Sequence, residues 1–281
     1  MTDLFALFEY QFFRNAIYAA ILTSVLAAMI GTYIVSRKIV FISGGITHAS
    51  FGGIGMAYFL GLNPLLGATV FSILSAVGIE WISQRGKVRE DSAIAILWSL
   101  GMAVGIIFVF LTPGYTPNLM SFLFGSILSV GKVDLWVLLI LTVVSALFMT
   151  IFYRPVIYSA FDKEFSKIMG VAVEFFRYSM SVLMALAIVV SIRSMGIILV
   201  LSLFTIPQTT AMLFSHSFGR IVILSIVFGL TGSLAGLFSA YGMNIPSGAA
   251  IIFALTIQYL VFKLFVWLGG YLLQKPRGSS F

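Results

Sequence analysis

The chain contains no cysteine, so disulfide frameworks and thiolate metal sites are excluded. Charge is scarce too: 9% of the 281 residues are Asp, Glu, Lys or Arg, while 60% are hydrophobic. So small a polar complement cannot coat a soluble domain. With a mean hydropathy of +1.12, the composition marks a polytopic membrane protein. Signatures of chemistry are missing as well. No GxxxxGK[ST], HExxH or GxSxG sequence occurs, and the glycine clusters lie within apolar runs rather than after a strand. An enzyme is not expected. The N-terminal MTDLFALFEYQFFRN lacks the basic region of a cleavable signal peptide. Its Phe5, Phe8, Phe12 and Phe13 suit either an interfacial helix or the start of the first span.

What is there is a succession of apolar runs, each near the roughly 20 residues that cross a bilayer as a helix. They cover approximately 16–36, 42–61, 64–83, 92–111, 133–153, 176–192, 194–214, 220–240 and 247–272. The fold class expected is all-α, with about nine transmembrane helices (eight to ten) in one transmembrane domain, 1–281. Arg193 divides a long apolar region into two short halves, so a partial span is expected there. The net charge of +7 comes from basic residues that punctuate the spans, a topology signal rather than a nucleic-acid surface. With the N-terminus outside, the inner side holds Arg37, Lys38, Arg85, Lys87, Arg89, Arg154, Lys163, Lys167, Arg177, Arg220, Lys275 and Arg277. The outer side keeps Arg14, Lys132 and Arg193, and Lys263 is ambiguous. All nine acidic residues fall at span ends or in loops. A proton- or sodium-coupled carrier places an ionisable group at depth, so the energy is expected from a partner.

Two loops stand out. In the outer loop 113–132, two prolines precede an apolar run from Leu119 to Leu128 that is too short to cross. It reads as a re-entrant half-helix, with a plain outer loop as the alternative. In the inner loop 159–174, Phe161, Phe165, Ile168 and Ala172 recur at helical spacing opposite Asp162, Lys163, Glu164, Ser166 and Lys167, and Gly170 suits a helix end. This is a short amphipathic helix, either lying on lipid or docking a soluble partner.

Within the spans, Gly101 and Gly105, and Gly232 and Gly236, form GxxxG pairs for close helix packing. Pro207 removes a backbone donor and frees the carbonyl of Leu203, so a kink is expected there, with Thr205, Gln208, Thr209 and Thr210 around it. Those oxygens could face a cation or a neighbouring helix. Of the two histidines, His216 lies in a short inner loop. His48 sits inside a span, in FISGGITHASFGGIGMA, among five glycines. A neutral imidazole there is costly unless paired, and it is a common metal ligand. A single histidine holds a metal only weakly, so two copies meeting at a symmetry axis could bring two together.

Six ordered stretches between Ala27 and Lys263 carry a family resemblance: SRKIVFISGGITHASFGGIGMAYFLGLNP, REDSAIAILWSLGMAVGI, LMSFLFGSILSV, FDKEFSKIMGV, SIRSMGIILVLSLFTIPQTTAMLF and GLFSAYGMNIPSGAAII. The chain resembles the membrane permeases of metal-ion ABC importers of the zinc/manganese/iron type, with a type II importer architecture. The resemblance implies a homodimer in a bacterial cytoplasmic membrane, two cytoplasmic ATPase subunits and an extracytoplasmic metal-binding protein. It implies no permanent cofactor; the divalent metal is the cargo. It makes FDKEFSKIMGV a coupling helix, with Phe161, Asp162, Glu164, Phe165 and Gly170 engaging the ATPase. The family pattern Gly-Asp-Ala-x-Ser-His-Ala falls on Ser43 to Ala49, which keeps His48 but places Gly44 where the aspartate belongs. His48 is therefore expected on the translocation path or its gate, with Thr47 and Gln208 as possible oxygen ligands. The missing carboxylate favours zinc over manganese, with iron possible. A permease for a metal chelate and an ion-coupled secondary transporter remain the alternatives.

Overall fold

The computed structural model describes residues 9–86, 88–113 and 127–273, and among these there is no strand. The helices are α1 Gln11–Ser36, α2 Phe41–Phe59, α3 Pro64–Arg85, α4 Glu90–Leu111, α5 Lys132–Ile151, α6 Tyr153–Phe161, α7 Lys163–Ile168, α8 Val173–Met195, α9 Ile197–Leu203, α10 Ile206–Ala211, α11 Phe218–Met243 and α12 Ser247–Leu273. Seven of them, α1, α3, α4, α5, α8, α11 and α12, are long and apolar enough to cross a membrane. The other two expected spans are the glycine- and hydroxyl-rich α2 and the broken pair α9–α10. Each of the nine apolar runs thus coincides with a helix or with this broken pair.

Small residues decide the packing around α2. A methyl added at Gly53 would run into the carbonyl of Gly67 on α3; one at Gly101 of α4 would meet the backbone of Ala49. Gly55 and Gly105 approach each other in the same way. Backbone-to-backbone contact on two faces clamps α2 between α3 and α4. On α11, Gly236 meets the backbone of Ile251 of α12, and Gly232 makes room for the Leu255 side chain. Around these pairs, α1 and α8 are buried along most of their length, while α4 and α12 present long exposed faces.

The expected break in the long apolar region falls at Gly196, three residues after Arg193. Its φ of 82° lies in the left-handed region that glycine tolerates. At Pro207 the expected kink is a full interruption. Residues Phe204 and Thr205 leave the helix, and Pro207 then opens α10 in its first turn, where its missing N–H matters least. The carbonyl of Leu203 accepts a hydrogen bond from the Gln208 amide, Nε2 to O 3.1 Å.

The inner loop departs from the single amphipathic helix expected. It forms two helices, α6 and α7, because Asp162 adopts an extended backbone and its carboxylate accepts from the Phe165 N–H at 2.9 Å. A new N-cap here outweighs the continuous helical periodicity. Gly170 does end the second helix: at φ 73° it donates to the carbonyl of Lys167, and Val171 donates to that of Ser166, the Schellman arrangement. The re-entrant half-helix expected in 113–132 lies mostly outside the described residues. Its final part forms one 3₁₀ turn, Ile127–Ser129. Asn15 ties down the chain after it by donating to the carbonyl of Val130 at 3.0 Å. Phe5 and Phe8 also lie outside the described residues, whereas Phe12 and Phe13 belong to the first turn of α1, Phe13 facing the core.

Candidate functional site

His48 lies two turns into α2 and is half-buried, while its neighbours Thr47 and Ala49 are fully buried. Among the described residues its ring makes no hydrogen bond; instead it stacks on the indole of Trp98 from α4, with centroids 4.5 Å apart and planes 6° from parallel. Gly44, one turn earlier, has no side chain to meet this indole: a methyl there would stand 3.4 Å from its Cζ3 atom. Gly44 and Trp98 also line a cavity of about 380 Å³, completed by Val40, Phe41, Leu201, Ser202, Thr205 and Ile206. A larger cavity, about 720 Å³, opens between α11 and α12, but its lining has no titratable side chain. Size alone therefore does not locate the chemistry. Among the described residues no group of three or more His, Cys, Asp or Glu side chains converges to hold a metal.

The other two expected ligands are not beside this imidazole. Thr47 is turned into the packing of α2, where its hydroxyl donates to the Ser43 carbonyl at 2.5 Å. Gln208 is fully buried; its amide nitrogen donates to the carbonyls of Ala27, at 2.7 Å, and Leu203. This ties the broken helix to α1, and a side chain at Gly31 would collide with the same amide. The Gln208 Oε1 is buried and has no hydrogen-bond partner among the described residues. His216 is exposed in the loop before α11.

A set of charges that sequence reading treated only as topology signals forms a buried network at the inner, basic end of the bundle. Arg177, at the start of α8, lies 2.5 Å through Nε from Glu80 of α3 and 2.9 Å through Nη2 from Glu90 of α4. Arg37, just past α1, reaches the same Glu90 oxygen at 2.5 Å and donates to the Tyr33 hydroxyl at 3.2 Å. Gln84 donates to Glu80 at 2.5 Å. Arg177 and Glu80 are 2% and 3% exposed, so each depends on its partners to offset lost hydration. The field extends to Lys163 of α7. Although that side chain is largely exposed, partial desolvation first, and then the charge of Arg177, holds its ammonium below the usual lysine range. The signal available in the sequence was polarity of position: Glu80 lies a turn inside the end of one apolar span and Arg177 just inside the start of another.

Beside this network, α6 and α7 present apolar surface to the outside. Phe161, Phe165, Ile168 and Met169 are all exposed, Ile168 by 84%. Phe165 meets Tyr158 edge-on at 5.5 Å, and Glu164 lies in the first turn of α7. The side facing the bundle buries Val156, Ser159 and Ser166 instead. At the opposite end, Arg193 pairs with Asp134 at 2.6 Å, and Asp134 caps α5 by accepting from the Gly131 N–H.

Comparison with known proteins fits this architecture. The model of the ABC 3 transport family matches residues 9–266. The manganese transport system membrane protein MntC of Listeria monocytogenes is 30% identical over 99% of each chain. The manganese import system permease protein ScaB of Streptococcus gordonii is 31% identical over 91% of each. Among solved structures, PsaBC from Streptococcus pneumoniae, in complex with Fab, superposes with a TM-score of 0.80 at 31% identity, covering 92% of this chain and 93% of that one. The chain belongs to the ABC 3 transport family and is a multi-pass membrane permease of the metal-ion ABC importer kind.

Proposed function

We propose that the chain is the permease of an ATP-driven importer that carries a divalent transition metal ion into the cytoplasm, and that His48 lies on the path. The observation that carries the site is an imidazole, half-buried and free of hydrogen bonds among the described residues, inside a helix otherwise packed by glycine. A transit ligand must bind weakly enough to release its cargo, and one imidazole does so. The donor type favours zinc: imidazole suits that ion, whereas manganese prefers carboxylate and carbonyl oxygen, and Gly44 offers no carboxylate. Manganese is the second reading, favoured by the names of the two bacterial relatives. Competition for uptake by the assembled transporter separates them. Zinc should displace radiolabelled manganese at lower concentration than the reverse; the opposite order overturns the zinc reading.

We further propose that α6 and α7 form the docking surface for the ATPase, two copies serving a permease dimer, with an extracytoplasmic metal-binding protein delivering the ion. The exposed Phe161, Phe165 and Ile168 support it, since apolar side chains at the basic end and outside the spans need a cover. Asp162 and Gly170 act by fixing the ends of α7, and Glu164 supplies charge at its rim. The triple change Phe161→Ser, Phe165→Ser, Ile168→Ser should abolish co-purification of the ATPase while the permease still folds. Undiminished co-purification contradicts the assignment.

A further inference from the structure

Trp98 has no part in the expectations drawn from the sequence, yet it meets His48, faces Gly44 and lines the cavity beside them. Its indole lies face to face with the His48 imidazole at 4.5 Å. The far edge of the same ring system lies over the bare backbone of Gly44, with Cζ3 and Cη2 both within van der Waals reach of a methyl placed there. The ring also forms part of the wall of the 380 Å³ cavity, beside Leu201, Ser202 and Thr205 at the break between α9 and α10. The ring's base is rigid: Gly101, three residues on, and Gly105 press the α4 backbone onto α2. The distance between the two rings is therefore set by backbone contact.

We propose that Trp98 is the positioning residue of the translocation site: seated in the gap that Gly44 leaves, it fixes the plane of His48 and offers its π-face to the ion in place of an oxygen ligand. The proposal rests on the reading that His48 lies on the path. Stacking covers one face of the imidazole and confines a metal to approach in the ring plane, along a nitrogen lone pair. An ion held there passes near the edge of the indole face, where cation–π attraction adds a weak, non-directional contact. Such a pair suits transit, because it orients the ion without a charged ligand to retain it.

The test uses the full-length permease in lipid nanodiscs with Trp81, Trp136 and Trp267 changed to Phe, so that Trp98 is its sole indole. Zinc ions should change the emission of Trp98, and His48→Gln should abolish that response. In the assembled transporter, Trp98→Leu should raise the KM for zinc uptake about three- to tenfold, the range of one aromatic contact, with a smaller change in maximal rate. Trp98→Phe, which keeps a stacking ring, should restore most of the loss and controls for folding. Trp98 emission indifferent to zinc, or a wild-type KM for Trp98→Leu where His48→Gln is impaired, overturns the positioning role and leaves His48 in place. Wild-type uptake by His48→Gln removes both.

Discussion

At the inner end of the bundle, Arg37, Glu80, Glu90 and Arg177 close on one another from four different helical segments, and Arg177 and Glu80 are almost fully withdrawn from water. At the opposite end, among the described residues, Arg193 pairs with Asp134, the arginine side chain 47% and the aspartate 15% exposed. The same ion-pair chemistry has different consequences in the two settings. A buried pair is destabilising to break because the survivor is left charged and unhydrated; an exposed pair can be lost to water almost freely. The four-residue network beside α6 and α7 is thus costly to open, whereas the Arg193–Asp134 pair is lost at a smaller free-energy cost.

That contrast can be broken from either side. The largest effect is expected at the inner end: Arg177→Gln or Glu80→Gln should destabilise the permease by about 3–5 kcal/mol, read by thermal or denaturant unfolding in detergent. Changing both together should lose less than the sum of the two, since neither charge is then stranded. The clamp on α2 comes next. Gly53→Ala forces a methyl against the Gly67 carbonyl and should cost about 1–3 kcal/mol, measured the same way. The smallest effect belongs to the outer end: Arg193→Gln should change stability by no more than about 1 kcal/mol. A loss there as large as that of Arg177→Gln would erase the distinction.

Much of this fold was legible in the sequence because bilayer thickness, small-residue pairs and Pro207 act locally. The apolar runs, the Gly101–Gly105 and Gly232–Gly236 contacts, the helix end at Gly170 and the freed Leu203 carbonyl all follow from residues within a few positions of one another. What stayed hidden is what pairs across distance. Arg37 reaches a residue 53 positions away and Arg177 one 87 positions away, and boundary charges look alike whether they meet each other or water. The helix break at Asp162 was missed for a local reason: its side chain can cap a new helix as readily as it can decorate a continuous one. At the candidate site the sequence marked His48 and the vacancy at Gly44, but a tryptophan within an apolar run gives no sign of which face it will cover. Gln208 drew attention as an oxygen donor, whereas its amide nitrogen serves the helix break that Pro207 creates.

The central claim is that metal passes His48. It is tested most directly by metal uptake in proteoliposomes holding the assembled transporter with His48→Gln, which keeps a polar side chain of similar size but removes the imidazole. The account predicts uptake of zinc and manganese lowered at least tenfold, with the ATPase still bound and the unfolding temperature unchanged. Wild-type uptake by that variant would contradict it.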